Sequence, residues 1–179
     1  MELGAQVIPG LLQTRDYARA VRQLWLGMFP GPPSETDRWA EARLLRQQVL
    51  TRDPPLQLSV VMDESVLRRR FGDHTVMRQQ LEHLTRASEL PNVEVRVFPL
   101  DWDHPPLPIA AFSYMRFLRI HAVPRRDMVS VEHLDGDSDL EDEEQTYKYR
   151  VAFEYLMQWS LAPEQSLALI AAAARDNWQ

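Results

Sequence analysis

The chain has 179 residues, 45% of them hydrophobic, which is enough for one packed domain and short for two. It contains no cysteine, so disulfides, thiol nucleophiles and Cys-ligated zinc or iron–sulfur centres are excluded. The net charge of −6 is concentrated in Glu132, Asp135, Asp137, Asp139, Glu141, Asp142, Glu143 and Glu144, and no basic stripe dominates elsewhere, so direct nucleic-acid binding is not expected. No apolar run approaches a membrane span and no basic-then-apolar leader opens the chain, which points to a cytoplasmic protein without membrane attachment.

Pro9 and Gly10 impose a turn, and a helix is predicted from Leu11 onward with Leu11, Leu12, Tyr17, Val21 and Leu24 on one core-facing stripe. Gln13 and Tyr17 share a flank of that stripe. Either Gln13 is a capping or turn residue, or the pair lines the mouth of a pocket. After the stiff loop Met28 to Pro33, Ser34 and Asp37 resemble a capping box that opens a helix carrying Trp39, Ala42, Leu45 and Val49. Its Arg38, Arg43, Arg46 and Arg52 read as a solvated face shared with Glu35 and Glu41, or else as an anion site.

Leu56, Leu58, Val60 and Met62 alternate with polar residues, as in a half-buried strand. It runs into Asp63 and Glu64 and then Arg68, Arg69 and Arg70, placing carboxylates and guanidiniums at the end of a sheet. Here Asp63 either caps the next short helix, with Arg68 and Arg69 paired to nearby acids, or this corner meets a ligand. Asp73 then caps a helix bearing Val76, Met77, Leu81 and Leu84, which ends near Leu90. Val93, Val95 and Val97 form the next strand, and a helix between two strands makes them parallel neighbours.

The segment Pro99 to Pro108 is stiffened by prolines and presents Asp101, Trp102, Asp103 and His104. A carboxylate beside an imidazole orients it and moves its pKa, so Asp101, Asp103 and His104 are the strongest acid–base group, with Glu64 and Glu132 as further catalytic candidates. Ala111 to Leu118, which includes Phe112 and Tyr114, and Met128 to Leu134 read as an antiparallel hairpin. On its second strand Ser130 and Glu132 share one face and Val129 and Val131 the other. The alternation of Asp135, Asp137 and Asp139 invites a calcium loop, but Leu140 stands where glycine is needed and Thr146 where the bidentate glutamate belongs. The five histidines lack zinc-site spacing, and no metal or cofactor is expected. Two helices close the chain, around Tyr149 to Met157 and from Pro163 to Arg175; alanines 171 to 174 offer a face for close packing in this chain or in a homodimer.

The ordered series Ile8-Pro9-Gly10-Leu11-Leu12-Gln13-Thr14 with Tyr17-Ala18-Arg19-Ala20, then Arg43, Arg46, Gln47 and Leu50, then Val61 to Glu64 with Leu67 to Arg69, extends through Met77, Gln80-Leu81, Leu90 to Val93 and Val97 to Pro99. Glu132, Tyr149, Phe153, Leu156 and Ser166 complete it. This series resembles the domain of unknown function that follows the helix-turn-helix in actinobacterial XRE-type transcriptional regulators. The resemblance implies an effector domain that binds a small molecule or a small acidic or basic partner protein, here expected without its DNA-binding module. Relatives usually carry glycines between the His and the next Phe, where this chain is proline-rich, and commonly tyrosine where Ser130 and Asp139 stand.

The expected architecture is therefore a single α/β or α+β domain over residues 1–179, with a small mixed sheet of about four to five strands flanked by helices. Gln13, Tyr17, Asp63, Arg68, Arg69, Trp102, His104, Phe112, Tyr114, Ser130 and Glu132 are the expected ligand-binding residues, gathered around one cavity at the sheet rim. The preferred function is the binding module; the other is a stand-alone cofactor-independent cyclase, isomerase or lyase of specialised metabolism on the same fold.

Overall fold

The computed structural model describes residues 1–4, 6–28, 32, 34–101, 110–117, 126–133 and 136–178. Strands β1 (Glu2–Gly4), β2 (Leu58–Asp63), β3 (Val93–Phe98), β4 (Phe112–Met115), β5 (Met128–His133) and β6 (Gly136–Leu140) form one mixed sheet in the order β3-β2-β1-β4-β5-β6. The first three run parallel, and β4, β5 and β6 continue antiparallel. Helices α1 (Arg15–Met28), α2 (Ser34–Gln47), α3 (Ser65–Arg68), α4 (His74–Ala87), α5 (Glu143–Trp159) and α6 (Pro163–Asp176) surround it. Six strands stand where four to five are expected. The additional ones are β1, only three residues long, and β6, whose Gly-Asp-Ser-Asp-Leu lacks β-formers.

Alternation along the strands divides the core in two. Leu58, Val60 and Met62 of β2 and Val93, Val95 and Val97 of β3 face α1, α4 and α6, packing against Tyr17, Leu81, Leu84 and Ile170. Leu3, Val61, Phe98, Phe112, Tyr114, Val129 and Val131 face the other way, onto Phe153 and Leu156 of α5. Because β2 lies inside the parallel part, Val60, Val61 and Met62 are all fully buried and its sequence reads as a continuous apolar run. Two residues expected on the core stripes lie outside: Leu24 is 58% and Leu45 63% exposed. Both lie in the C-terminal halves of their helices, beyond the turns that are buried: in α1 the buried residues are Tyr17, Ala18 and Val21, and in α2 they are Thr36 and Ala40. Leu11 and Leu12, expected on the same helix as Tyr17, belong instead to a separate 3-10 turn, Gly10–Leu12, and α1 starts only at Arg15.

Side-chain amides hold this turn in place. Gln80, fully buried on α4, donates from Nε2 to the Leu12 carbonyl at 2.7 Å and accepts the Thr14 N–H at 2.6 Å. Gln47 of α2 donates to the Gln13 carbonyl at 2.6 Å, and Gln13 donates to the Ile8 carbonyl at 2.6 Å. Loop carbonyls that would otherwise be buried unpaired are thereby satisfied. Asn92 does the same after α2, donating to the carbonyls of Leu50 and Leu56 at 3.0 and 2.8 Å.

Both sheet edges are blunted. On β3, the Val97 carbonyl accepts from Leu161 N–H at 3.0 Å, and the Val97 N–H donates to Ser166 Oγ at 3.0 Å. On β6, Asp137 and Asp139 place charge on an edge strand, which discourages pairing with another chain. Among the described residues, no helix is long and apolar enough to cross a membrane.

Replacing Gln80 by leucine keeps the volume but leaves the Thr14 N–H and Leu12 carbonyl buried without partners. Urea unfolding is expected to show a loss of about 2–4 kcal/mol; a loss below about 1 kcal/mol would mean the turn holds itself.

Candidate functional site

The strand order reverses at β1: chain connections run from β1 outward to β2 and β3, and β4 then returns to pair with the free side of β1. Open sheets of this kind bind ligands near such a switch, at the carboxyl ends of the parallel strands. Across it, Val95, Val60, Glu2, Ser113, Ser130 and Asp139 stand in register in one row over all six strands. The β3–β2 half of that row is apolar and covered by helices. The β1–β6 half is polar.

The next row toward the carboxyl ends of the parallel strands carries Gly4 on β1, Glu132 on β5 and Asp137 on β6, while the Ala111 carbonyl accepts from the Glu132 N–H at 3.2 Å. Gly4, Ser113 and Ser130 have short side chains and stand beside Glu2, Glu132, Asp137 and Asp139, so side-chain length alone leaves a shallow hollow on this face. Gly4 is required here: a Cβ on it would lie 2.9 Å from the Val7 carbonyl oxygen and 3.0 Å from Pro9 Cδ, where the chain folds back after β1.

Arg43 of α2 supplies the opposite charge. Its guanidinium lies 3.9 Å from the centre of the Trp39 ring and passes so close to Gly10 that a methyl group there would overlap it. Burial lowers the Arg43 pKa, with Glu132, Glu2 and Asp137 pulling against that effect. Glu2 keeps part of its surface accessible yet is hemmed in closely enough that burial, followed by the charge of Glu132, pushes its carboxyl up to about 7; the N-terminal amine, Arg43 and Arg46 oppose the rise. Glu132, although exposed at the end of β5, is raised as well, by partial desolvation first and Asp137 second, while Arg43 pulls it down. Among the described residues three buried side-chain atoms, Gln13 Oε1, Arg22 Nε and Arg43 Nε, have no hydrogen-bond partner.

The residues expected around one rim fall into separate groups. Ser130 and Glu132 lie on the polar face just described. Phe112 and Tyr114 project from the opposite face of the sheet, where Phe112 packs 4.9 Å from the Tyr149 ring and the buried Tyr114 donates its hydroxyl to Asp127. Gln13 and Tyr17 are buried around the turn; Tyr17 accepts the Ile8 N–H at 3.3 Å and packs 5.3 Å from the Phe71 ring. Arg69 is exposed, near enough to oppose the burial-driven rise of the Tyr17 hydroxyl. Asp63, the residue before the N-cap Glu64, accepts the Ser65 N–H at 2.9 Å across a tight turn. Glu64 spends both oxygens on structure, one on Arg68 at 2.6 Å and one on the Leu100 N–H at 3.0 Å. Glu64 and Arg68 line a small cavity of about 140 Å3 against α6. Among the described residues, no ion pair joins this corner to Glu132. Asp101 is exposed; Trp102, Asp103 and His104 lie outside the described residues.

Sequence reasoning passed over Glu2 as a site residue. Arg43 stands within the Arg-x-x-Arg-Gln motif, on a helical face that reads either as a solvated face shared with Glu35 and Glu41 or as an anion site. Those acids instead cross to α1, pairing with Arg22 and Arg15, which leaves Arg43 turned toward the sheet.

The Glu2 shift has a definite sign in stability. Between about pH 4.5 and 7 the folded state holds a proton that the unfolded state releases, so Glu2 makes stability fall as pH rises through that window and contributes no slope above it. Glu2→Gln is expected to flatten that slope and to raise stability at pH 8 by on the order of 2 kcal/mol, read by urea unfolding across pH. An unchanged slope would place the carboxyl in open water.

Residues 1–172 match the model of a family described as a domain of unknown function, DUF5753. No curated protein matches the chain. No solved structure matches it either.

Proposed function

The chain belongs to the DUF5753 family, and on that premise we propose that it is a cytoplasmic ligand-binding effector module of the kind carried by XRE-type regulators, taking a small molecule with an amine or amide donor. The observation behind this reading is the polar half-face itself. A valine at Glu2, like the one beside it at Val60, would stabilise the sheet, whereas a hemmed-in carboxyl opposes folding. Residues that break the local rule for packing are found where binding requires them. The carboxylates of Glu2, Glu132 and Asp137 face one pinned guanidinium, so the hollow favours a ligand that brings positive charge or N–H donors, with Arg43 free to hold an acceptor on it.

A second reading draws on one feature. A carboxyl poised near neutrality, as Glu2 is, suits a general acid–base, which favours a small cofactor-independent lyase or isomerase on the same face. Under that reading Glu2→Gln abolishes turnover while leaving ligand affinity within about threefold. Under the binding reading it alters affinity and its pH dependence.

Gly10→Ala separates the site from the fold, because the added methyl meets only the flexible end of Arg43. It is expected to change stability by less than about 1 kcal/mol. Agmatine, used as a probe amine in an amide-resolved NMR titration, is expected to shift Glu2, Ser113 and Ser130 and to bind the Gly10→Ala protein at least about tenfold more weakly or more tightly. Shifts confined to other residues, or an affinity indifferent to the variant, would refute the assignment.

A further inference from the structure

Helices α4 and α6 enclose an open groove of about 690 Å3 whose lining shares no residue with the polar half-face. Its floor is Ala171 and Ala174; its rim is Arg78, Glu82 and Arg86 of α4 and Arg175 of α6. Arg78, Glu82 and Arg86 are four residues apart and therefore form one stripe, with the two arginines about 12 Å apart along the axis. Among the described residues, none of the three arginines makes an ion pair. The helix dipole favours Arg86 and Arg175, each in a last turn, but offers nothing to Arg78 near the start of α4. Three arginines against one carboxylate, Glu82, thus surround one concavity and leave it positive in a chain whose net charge is −6.

We propose that this groove docks an acidic helix of a partner protein. A floor of two alanines lets a third helix approach closely, and the apolar stems of the arginines flank it while their guanidiniums stay in water. Carboxylates on successive turns of that helix match the Arg78–Arg86 spacing, with Arg175 closing the opposite wall. Glu82, midway between the arginines, disfavours a carboxylate opposite itself and so sets the register. The groove is too open to bury most of a small molecule, which ligand pockets normally do. Nucleic acid would need a basic surface continuing beyond the groove. None of these residues belongs to the sheet-face site, so this proposal is independent of the functional reading above.

The test uses the whole chain and a fluorescein-labelled peptide of about 18 residues, built of alanine and leucine with glutamate at every fourth position, long enough to be helical. Fluorescence anisotropy is expected to show binding that weakens as salt rises, and no binding when lysine replaces glutamate. The charge-reversed protein R78E/R86E/R175E is expected to lose affinity at least about tenfold, with a lower thermal midpoint because carboxylates replace Arg86 and Arg175 in last helical turns. Arg86→Gln, which puts another good helix former at an exposed position of α4, is expected to lose about threefold and decides the matter if the triple variant does not fold. The proposal is overturned if the glutamate peptide does not bind, if it binds the variants as well as the parent, or if pyrophosphate or a single-stranded oligonucleotide displaces it at lower concentration than unlabelled peptide does.

Discussion

The hold that glutamine side chains keep on the Pro9–Gly10 turn governs the arrangement of this protein. The turn follows the strand at which the sheet reverses direction, and its carbonyls are buried or half-buried, so they need partners within the protein. Gln80 satisfies two backbone groups from α4, and Gln47 a third from α2, so one loop is tied to two helices that are far apart in the chain. The same tie sets the depth at which α2 lies over the sheet. Arg43 can reach the polar face only because Gly10 offers no side chain in its path and Trp39 supports it from behind.

A sheet that is apolar on one half of a face and polar on the other poses an energetic problem. On the β2–β3 half, burial of valine and leucine under α4 and α6 supplies the driving force, roughly 25 cal/mol for each Å2 removed from water. On the β1–β6 half that gain is given up, and two carboxyls are pushed above their ordinary range. The antiparallel half keeps its stability from its other side, where Phe112, Val129 and Val131 pack on α5. One surface of these strands can therefore be given to chemistry because the reverse surface carries the folding.

Much of this organisation is written locally in the chain and some of it is not. Alternation places β2, β3 and β5, and assigns Ser130 and Glu132 to one face and the valines to the other. Asp73 as a cap and Pro163 in a first helical turn follow from backbone chemistry alone. By contrast β1 exists only because β2 and β4 pair on its two sides, and β6 only because β5 does; neither has a pattern of its own. Glu2 is equally invisible, since its environment is made by residues more than forty positions away, Arg43, Ser113 and Glu132 among them. Phe112 and Tyr114 carry the reverse lesson: they are prominent in sequence, yet alternation sends them to the face opposite Glu132.

The claim that ties these observations together is that the switch between β1 and β4 encloses a carboxyl in a charged, partly desolvated hollow beneath Arg43. The carboxyl carbon shift of Glu2, followed by NMR as pH is varied, reports on that hollow without any ligand or substitution. A midpoint near 7 is the result this account requires. A midpoint at the ordinary glutamate value of about 4.3 would show Glu2 open to water and the hollow absent.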